Sequence, residues 1–239
     1  MHATIQKPIK EIINCIRPGE KVFVVGCGNC AMKCHSGGEL ETEAMAKRLK
    51  KRGINVVGHN VPGPAGMSLC KLSNTKKVLQ EDCMAQTKEA DSFLVLGCGQ
   101  GVHTVLDATN GAMVHPGCDT IFGGETVSDT EINEYCSLCG DCVIEFTGGL
   151  CPMTLCAKSL LNGPCGGAEN GKCEVDKDRD CGWVLIYERL KKLDRLDLMK
   201  PYQEPKNFAR WSRPRSLRVS PSEATFCSQA GNITVNNQE

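Results

Sequence analysis

Twice in its N-terminal half the chain runs an aliphatic stretch into Gly-Cys-Gly, as Phe23-Val24-Val25-Gly26-Cys27-Gly28 and as Leu94-Val95-Leu96-Gly97-Cys98-Gly99. A short apolar run that stops at a glycine turn and is followed by helix-periodic sequence reads as a buried strand feeding a helix. The segments around the two copies agree. Residues 21–25, 54–57, 92–96 and 112–115 read as strands. Residues 37–52 read as a helix, with Leu40, Ala44, Met45 and Leu49 toward one side and Gly53 as its stop. Residues 73–90 read as a second helix, capped by Ser73 or Asn74, and 102–108 as a short third; 60–67 is a Pro/Gly loop. Strands alternating with helices predict an α/β fold, a Rossmann-like parallel sheet over residues 1–130.

In an open sheet of this kind ligands sit outside the carboxyl ends of the strands, where the strand order reverses. A nucleotide loop at that place keeps small neutral residues. Here Cys27, Cys30 and Cys34 crowd it, spaced Cys-x2-Cys-x3-Cys. If the first and third strands are neighbours, Cys98 faces those three and supplies a fourth thiolate. Closely spaced thiols let one loop hold three corners of a [4Fe–4S] cluster while a distant cysteine closes the fourth. Cys118 is the main rival to Cys98.

A second set follows. Cys136, Cys139 and Cys142 are spaced Cys-x2-Cys-x2-Cys, and Cys151, Cys156, Cys165, Cys173 and Cys181 come after them. Eight of the 46 residues from 136 to 181 are cysteine and glycine is frequent, too loop-like a stretch for a large core. Metal centres are expected to hold this small domain, residues 131–200, together. Zinc also takes four thiolates, so Cys-x2-Cys suits either metal; the triple run favours iron–sulfur. Unlike a bacterial ferredoxin run, eight residues intervene between Cys142 and Cys151-Pro152. Eight thiols suffice for two four-thiolate centres, for one cluster and one zinc, or for one cluster with structural thiols to spare.

The totals exclude other classes. Seventeen cysteines in 239 residues would mean disulfides in a secreted chain, but residues 1–20 lack the apolar core of a signal peptide. The expected compartment is the cytoplasm, where thiols stay reduced. Twenty-eight basic and 28 acidic residues give no bias toward nucleic acid or membrane surfaces, and no aliphatic run is long enough to span a bilayer. Cys15, Cys70, Cys83 and Cys227 are isolated and read as packing or surface thiols. Gly97-x-Gly99-x-Gly101 falls short of a dinucleotide fingerprint. His35, His59, His103 and His115 form no H-x-x-x-H pair, and no P-loop, G-x-S-x-G or triad pattern is present. Electron transfer fits this inventory better than bond making.

Residues 182–199 read as an amphipathic helix with Trp183, Ile186, Leu190, Leu193 and Leu196 or Leu198 on its stripe, a stripe that suits core packing. Residues 201–239 form a Pro-rich basic tail bearing Arg210, Arg213, Arg215 and Arg218, polar and frayed after 224. It is either a solvated tail or an arm that docks on a partner, for which Phe208 and Trp211 are suited.

Several blocks carry a resemblance: Gly148-Gly149-Leu150-Cys151-Pro152, Asn162-Gly163-Pro164-Cys165-Gly166-Gly167, Gly171-Lys172-Cys173-Glu174-Val175 and Cys181-Gly182-Trp183. They resemble the methylenetetrahydrofolate reductase C-terminal domain family. The GCGNCAMKC and LGCGQGV stretches are similar to the region preceding that domain in the small iron–sulfur subunit of acetogen-type methylenetetrahydrofolate reductases. The resemblance covers about residues 5–218. It implies a non-catalytic subunit bound to an FMN-carrying catalytic subunit (MetF), which reduces 5,10-methylenetetrahydrofolate to 5-methyltetrahydrofolate in the Wood–Ljungdahl pathway. It also implies an upstream electron-donor protein or complex. It puts Cys27, Cys30, Cys34 and Cys98 on one cluster and at least one further centre on the Cys136–Cys181 set, two or three [4Fe–4S] clusters in all, with zinc as the alternative at one of them.

Overall fold

The computed structural model describes residues 1–63 and 65–216; Arg218, Cys227 and residues 224–239 of the expected tail lie outside the described residues. The chain divides into two units, Met1–Glu134 and Tyr135–Glu239.

The first unit is α/β. Its elements run β1 (His2–Gln6), α1 (Ile9–Cys15), β2 (Lys21–Val25), α2 (Cys30–Lys33), α3 (Glu39–Lys50), β3 (Asn55–Asn60), α4 (Leu72–Lys77), a π turn (Val78–Asp82), α5 (Met84–Glu89), β4 (Ser92–Val95), α6 (Gly99–Ala108), β5 (Met113–Pro116), β6 (Cys118–Gly123), β7 (Glu125–Thr126) and β8 (Ile132–Asn133). Four strands form one parallel sheet in the order β3-β2-β4-β5. All four residues of β4, and all but Lys21 in β2, are buried, as central strands covered on both faces must be. Alternation splits them between two layers. Phe23, Val25, Phe93 and Val95 pack with Leu79, Val105 and Ala108; Val22, Val24 and Leu94 pack with Ile12, Met45 and Leu49. Helices therefore cover both sheet faces. The order reverses between β2 and β4, so the two Gly-Cys-Gly turns leave neighbouring strands at the switch point, the condition under which Cys98 faces the Cys27 loop.

The structure corrects several helix assignments. The buried stripe of α3 is Thr42, Met45, Ala46 and Leu49; Leu40 is 77% exposed and Ala44 is exposed, because a start at Glu39 turns both outward. The single helix expected over 73–90 is three pieces. Cys83 N–H bonds to Val78 O, an i−5 pairing, and the Thr87 hydroxyl donates to Leu79 O at 2.6 Å, taking a carbonyl the straight helix would use. Neither Ser73 nor Asn74 caps; both lie inside α4, and Lys71 occupies the N-cap position without a side-chain bond. The β1–β6 antiparallel pair and the β7–β8 pair were not expected from the sequence.

The second unit is mostly turns. A 3₁₀ turn (Ile144–Thr147), α7 (Pro152–Leu155), α8 (Gly182–Lys192) and two further 3₁₀ turns (Leu196–Met199, Phe208–Trp211) are its regular parts. Its core is small: Cys181, Trp183, Ile186 and Leu190 are buried, with Leu150, Cys156, Leu160, Leu198 and Met199 against them. Gly182 is required where α8 starts, since a Cβ there would lie 2.7 Å from the Leu155 backbone. The helix expected over 182–199 stops at Lys192. Asp194 takes φ +55°, and Arg195 N–H closes on Leu190 O at 2.9 Å, a C-terminal wrap that turns the chain out of the helix. Leu193 is consequently exposed.

Residues 201–216 do not project as a free tail within this unit. Asn162 receives the Gln203 N–H on Oδ1 at 2.7 Å and donates Nδ2 to Gln203 O at 2.9 Å, pairing with the arm as a strand neighbour would.

Candidate metal centres

After β2 the chain folds back on itself tightly. Gly26 N–H bonds Asn60 O, Cys27 N–H bonds Gly37 O at 2.7 Å, and Cys34 N–H bonds Cys30 O at the end of α2. Leu96 N–H bonds Val25 O, so the turn after β4 is tied to the end of β2. A Cβ on Gly97 would sit 3.7 Å from Cys27 Cβ, which puts Cys98 on a turn that touches the Cys27 turn. Cys27 and Cys98 are buried, at 6% and 7% exposure; Cys30 and Cys34 are half-buried. Cys98 occupies the N-cap position of α6, where Gly99 N–H is taken by the Thr120 hydroxyl at 2.9 Å.

The sequence reading missed β1 as part of this site. Thr4 N–H points at Cys34 Sγ at 3.4 Å, Cys34 Sγ points at His2 O at 3.7 Å, and the Thr4 and Ser36 hydroxyls bond at 2.7 Å. A five-residue strand paired with β6, more than 110 residues away, leaves no local signal. Cys118 lies beside the four, within electrostatic reach of Cys34 and against the Gly97 backbone, so it stays the alternative to Cys98. Its thiol donates to Ser36 O at 3.5 Å, and burial pushes it up to about 12. Cys83 is likewise pushed up by burial, and Asp82 beside it adds to the shift.

In the second unit the Cys136–Cys142 loop is a series of turns, with Leu138 at φ +56° and Gly140 at +77°. Leu138 N–H points at Cys136 Sγ at 3.4 Å, and the Cys139 thiol points at Asp141 O at 3.5 Å. Burial pushes the Cys139 thiol up. The Asp141 backbone, the Lys206 ammonium and the Ser137 hydroxyl together outweigh burial and hold it below the ordinary thiol range. Cys165, exposed in the Asn162–Gly167 turn, is brought down chiefly by a backbone hydrogen bond from Gly167, against slight desolvation and with Lys158 nearby. It lies 3.5 Å from Glu174 Oε1, whose carboxylate pairs with Lys158. Cys151 and Cys156 flank α7, Cys181 is the N-cap residue of α8, and Cys173 N–H bonds Arg179 O. Cys156 and Cys181 share one apolar cluster.

The donor set fits a thiolate-bound metal in chemistry. In the first unit two touching turns and the short helix α2 carry four cysteines; in the second, Leu138 N–H faces Cys136 and the Asp141 backbone faces Cys139. Among the described residues no three His, Cys, Asp or Glu side chains converge on one point closely enough to grip an ion, and no cysteine is in a disulfide. No helix among them is long and apolar enough to cross a membrane.

Residues 115–209 match a protein-family model described as "Methylene-tetrahydrofolate reductase C terminal". The match takes in Cys118 and all eight cysteines from Cys136 to Cys181, but not the Cys27–Cys34 loop or Cys98. No curated protein and no solved structure matches the chain.

Proposed function

We propose that the chain is an electron-transfer subunit, of the MetV type, in a methylenetetrahydrofolate reductase system of the cytoplasm. The observation that carries the reading is the family match over the cysteine-rich region, and the association with that enzyme system follows from it. Supporting it is the other thiol group, Cys27, Cys30, Cys34 and Cys98, at the switch point of a parallel sheet, on loops that leave neighbouring strands. In this reading Cys27, Cys30, Cys34 and Cys98 hold one [4Fe–4S] cluster, and the set Cys136, Cys139, Cys142, Cys151, Cys156, Cys165, Cys173 and Cys181 holds at least one more. Such clusters supply one-electron transfer at low potential. The partner is the FMN-carrying catalytic subunit, whose flavin delivers the hydride to 5,10-methylenetetrahydrofolate; a donor protein or complex lies upstream.

The chain's own residues have definite tasks. The thiolates bind the metal. Thr4 N–H and Leu138 N–H, aimed at Cys34 and Cys136, orient sulfur and stabilise its charge. Phe23, Val25 and Leu69, packed with Cys27, keep water from one side of the first loop.

Replacing Cys30 with Ser tests the relay. About four irons per chain should be lost, and donor-to-flavin electron transfer in the reconstituted complex should slow at least tenfold. Reduction of the partner flavin at the wild-type rate despite the iron loss would overturn the relay for that centre. The small core of the second unit favours a second reading, in which zinc there is a structural staple and the subunit docks the reductase to its donor. That reading requires zinc near one per chain.

A further inference from the structure

We infer that residues 201–216 form a cationic clasp on the Cys136–Cys142 loop, in which the Lys206 ammonium is a positioning residue that fixes Cys139 and balances the charge of the ligating thiolates. This rests on the proposal that the loop is a thiolate metal site. The geometry converges on one residue. Both the Cys139 thiol and Lys206 Nζ point at the carbonyl oxygen of Asp141. Asn207 N–H bonds Asp141 Oδ2 at 3.0 Å, and Arg210 Nη1 bonds Oδ1 at 3.3 Å. Arg215 reaches the same loop, bonding Leu138 O at 3.3 Å while Nη1 braces Arg210 O at 2.8 Å. Every hydrogen-bonding atom of Asp141 that accepts is thus engaged, three of the donors coming from Lys206, Asn207 and Arg210 on the arm.

Lys206 is the telling member. It is 7% exposed, and among the described residues no carboxylate forms an ion pair with it. A buried ammonium without a counter-ion is costly, and so is a group of thiolates gathered on one small loop. Placed against the same carbonyl, each offsets the other. The arm's remaining contacts, from Asn162–Gln203 at its start to Arg215 near its end, keep the ammonium there. Charge and hydrogen bonding beside a ligating sulfur also set how firmly the metal is held and how readily a cluster accepts an electron.

The test uses the full chain with its metal, comparing wild type, Lys206→Met, Lys206→Arg and Cys139→Ser. Metal remaining on the protein is followed during a timed chelator challenge. Cys139→Ser identifies the metal held by this loop. Lys206→Met should release that metal about tenfold faster, within the range for outer-shell partners. Lys206→Arg should restore retention to within about twofold of wild type. Where the metal is an iron–sulfur cluster, Lys206→Met should also move its EPR-monitored midpoint to a more negative potential. Asp141→Asn, which loosens Arg210 but leaves the lysine and the carbonyl in place, should speed release as well. Wild-type retention in both Lys206→Met and Asp141→Asn overturns the clasp and leaves the metal site standing. Unchanged metal content in Cys139→Ser instead overturns the metal site on this loop, and the clasp's role with it.

Discussion

The Cβ that Gly37 lacks would sit 2.0 Å from the Leu96 carbonyl oxygen. The Cys27–Cys34 loop therefore returns against the end of the β4 strand with no space for a side chain. Gly37→Ala should destabilise the first unit by about 3 kcal/mol, because backbone, not a pliable side-chain tip, has to move. Gly99→Ala is the control. Its Cβ would meet Thr120 Oγ1 at 3.9 Å, an ordinary contact, and stability should hold within about 0.5 kcal/mol. Chemical denaturation of the two variants checks both values.

His115 and Glu20 form a buried pair, Nε2 to Oε1 at 2.8 Å, that fastens β5 to the turn before β2. Burial raises the Glu20 carboxyl. Ser92, His115 and the Arg17 backbone together outweigh it and hold Glu20 below its ordinary value of 4.5. A carboxyl depressed in the folded state adds stability above its unfolded pKa and loses it as pH falls through the folded one. Glu20→Gln should cost about 1–2 kcal/mol at neutral pH. The gap between wild type and variant should close below pH 4.5. A gap of constant size down to the acid limit would show that the charge plays no part.

Asn162→Ala removes both hydrogen bonds to Gln203. The pair is exposed, so the cost is about 1 kcal/mol. The effect is local: hydrogen exchange at the Gln203 amide should accelerate, while amides of β4 keep their protection.

The second unit buries only four residues in its apolar cluster, few for a stretch of about 80 residues to fold on its core alone. If the proposed metal holds this unit together, chelation should unfold residues 135–216 and leave the parallel sheet of the first unit protected. Hydrogen exchange before and after chelation reads the two units separately.

How much of this was legible depends on the range of the interactions. The four parallel strands were, because Val22 to Val25 and Phe93 to Leu96 are contiguous aliphatic and aromatic runs ended by glycine. The neighbour relation of β2 and β4 was a condition of placing Cys98 by the Cys27 loop, and the sheet order meets it. The break in the 73–90 helix did not, since it turns on Thr87 capturing the Leu79 carbonyl, a choice that propensity does not encode. The end of α8 was hidden because Asp194, not glycine, takes the left-handed position. β1 and the Lys206 arm were invisible for a different reason. Their partners, β6 and Asp141, lie 112 and 65 residues away by the Gln6–Cys118 and Lys206–Asp141 pairings, and no periodicity announces such a contact. The cysteine sets were read from spacing, from the repeated Gly-Cys-Gly turn and from the family resemblance; Thr4, Ser36, Ser137 and Lys206 around them became visible only in three dimensions.

The central claim is that this chain carries electrons on iron–sulfur clusters. Iron, acid-labile sulfide and zinc per chain on anaerobically purified protein, with EPR of the dithionite-reduced form, test it most directly. The account predicts about eight irons or more with matching sulfide and cluster signals on reduction, the content of at least two [4Fe–4S] centres. Zinc with little iron and no EPR signal would contradict it, and would mean that electrons reach the flavin without crossing this subunit.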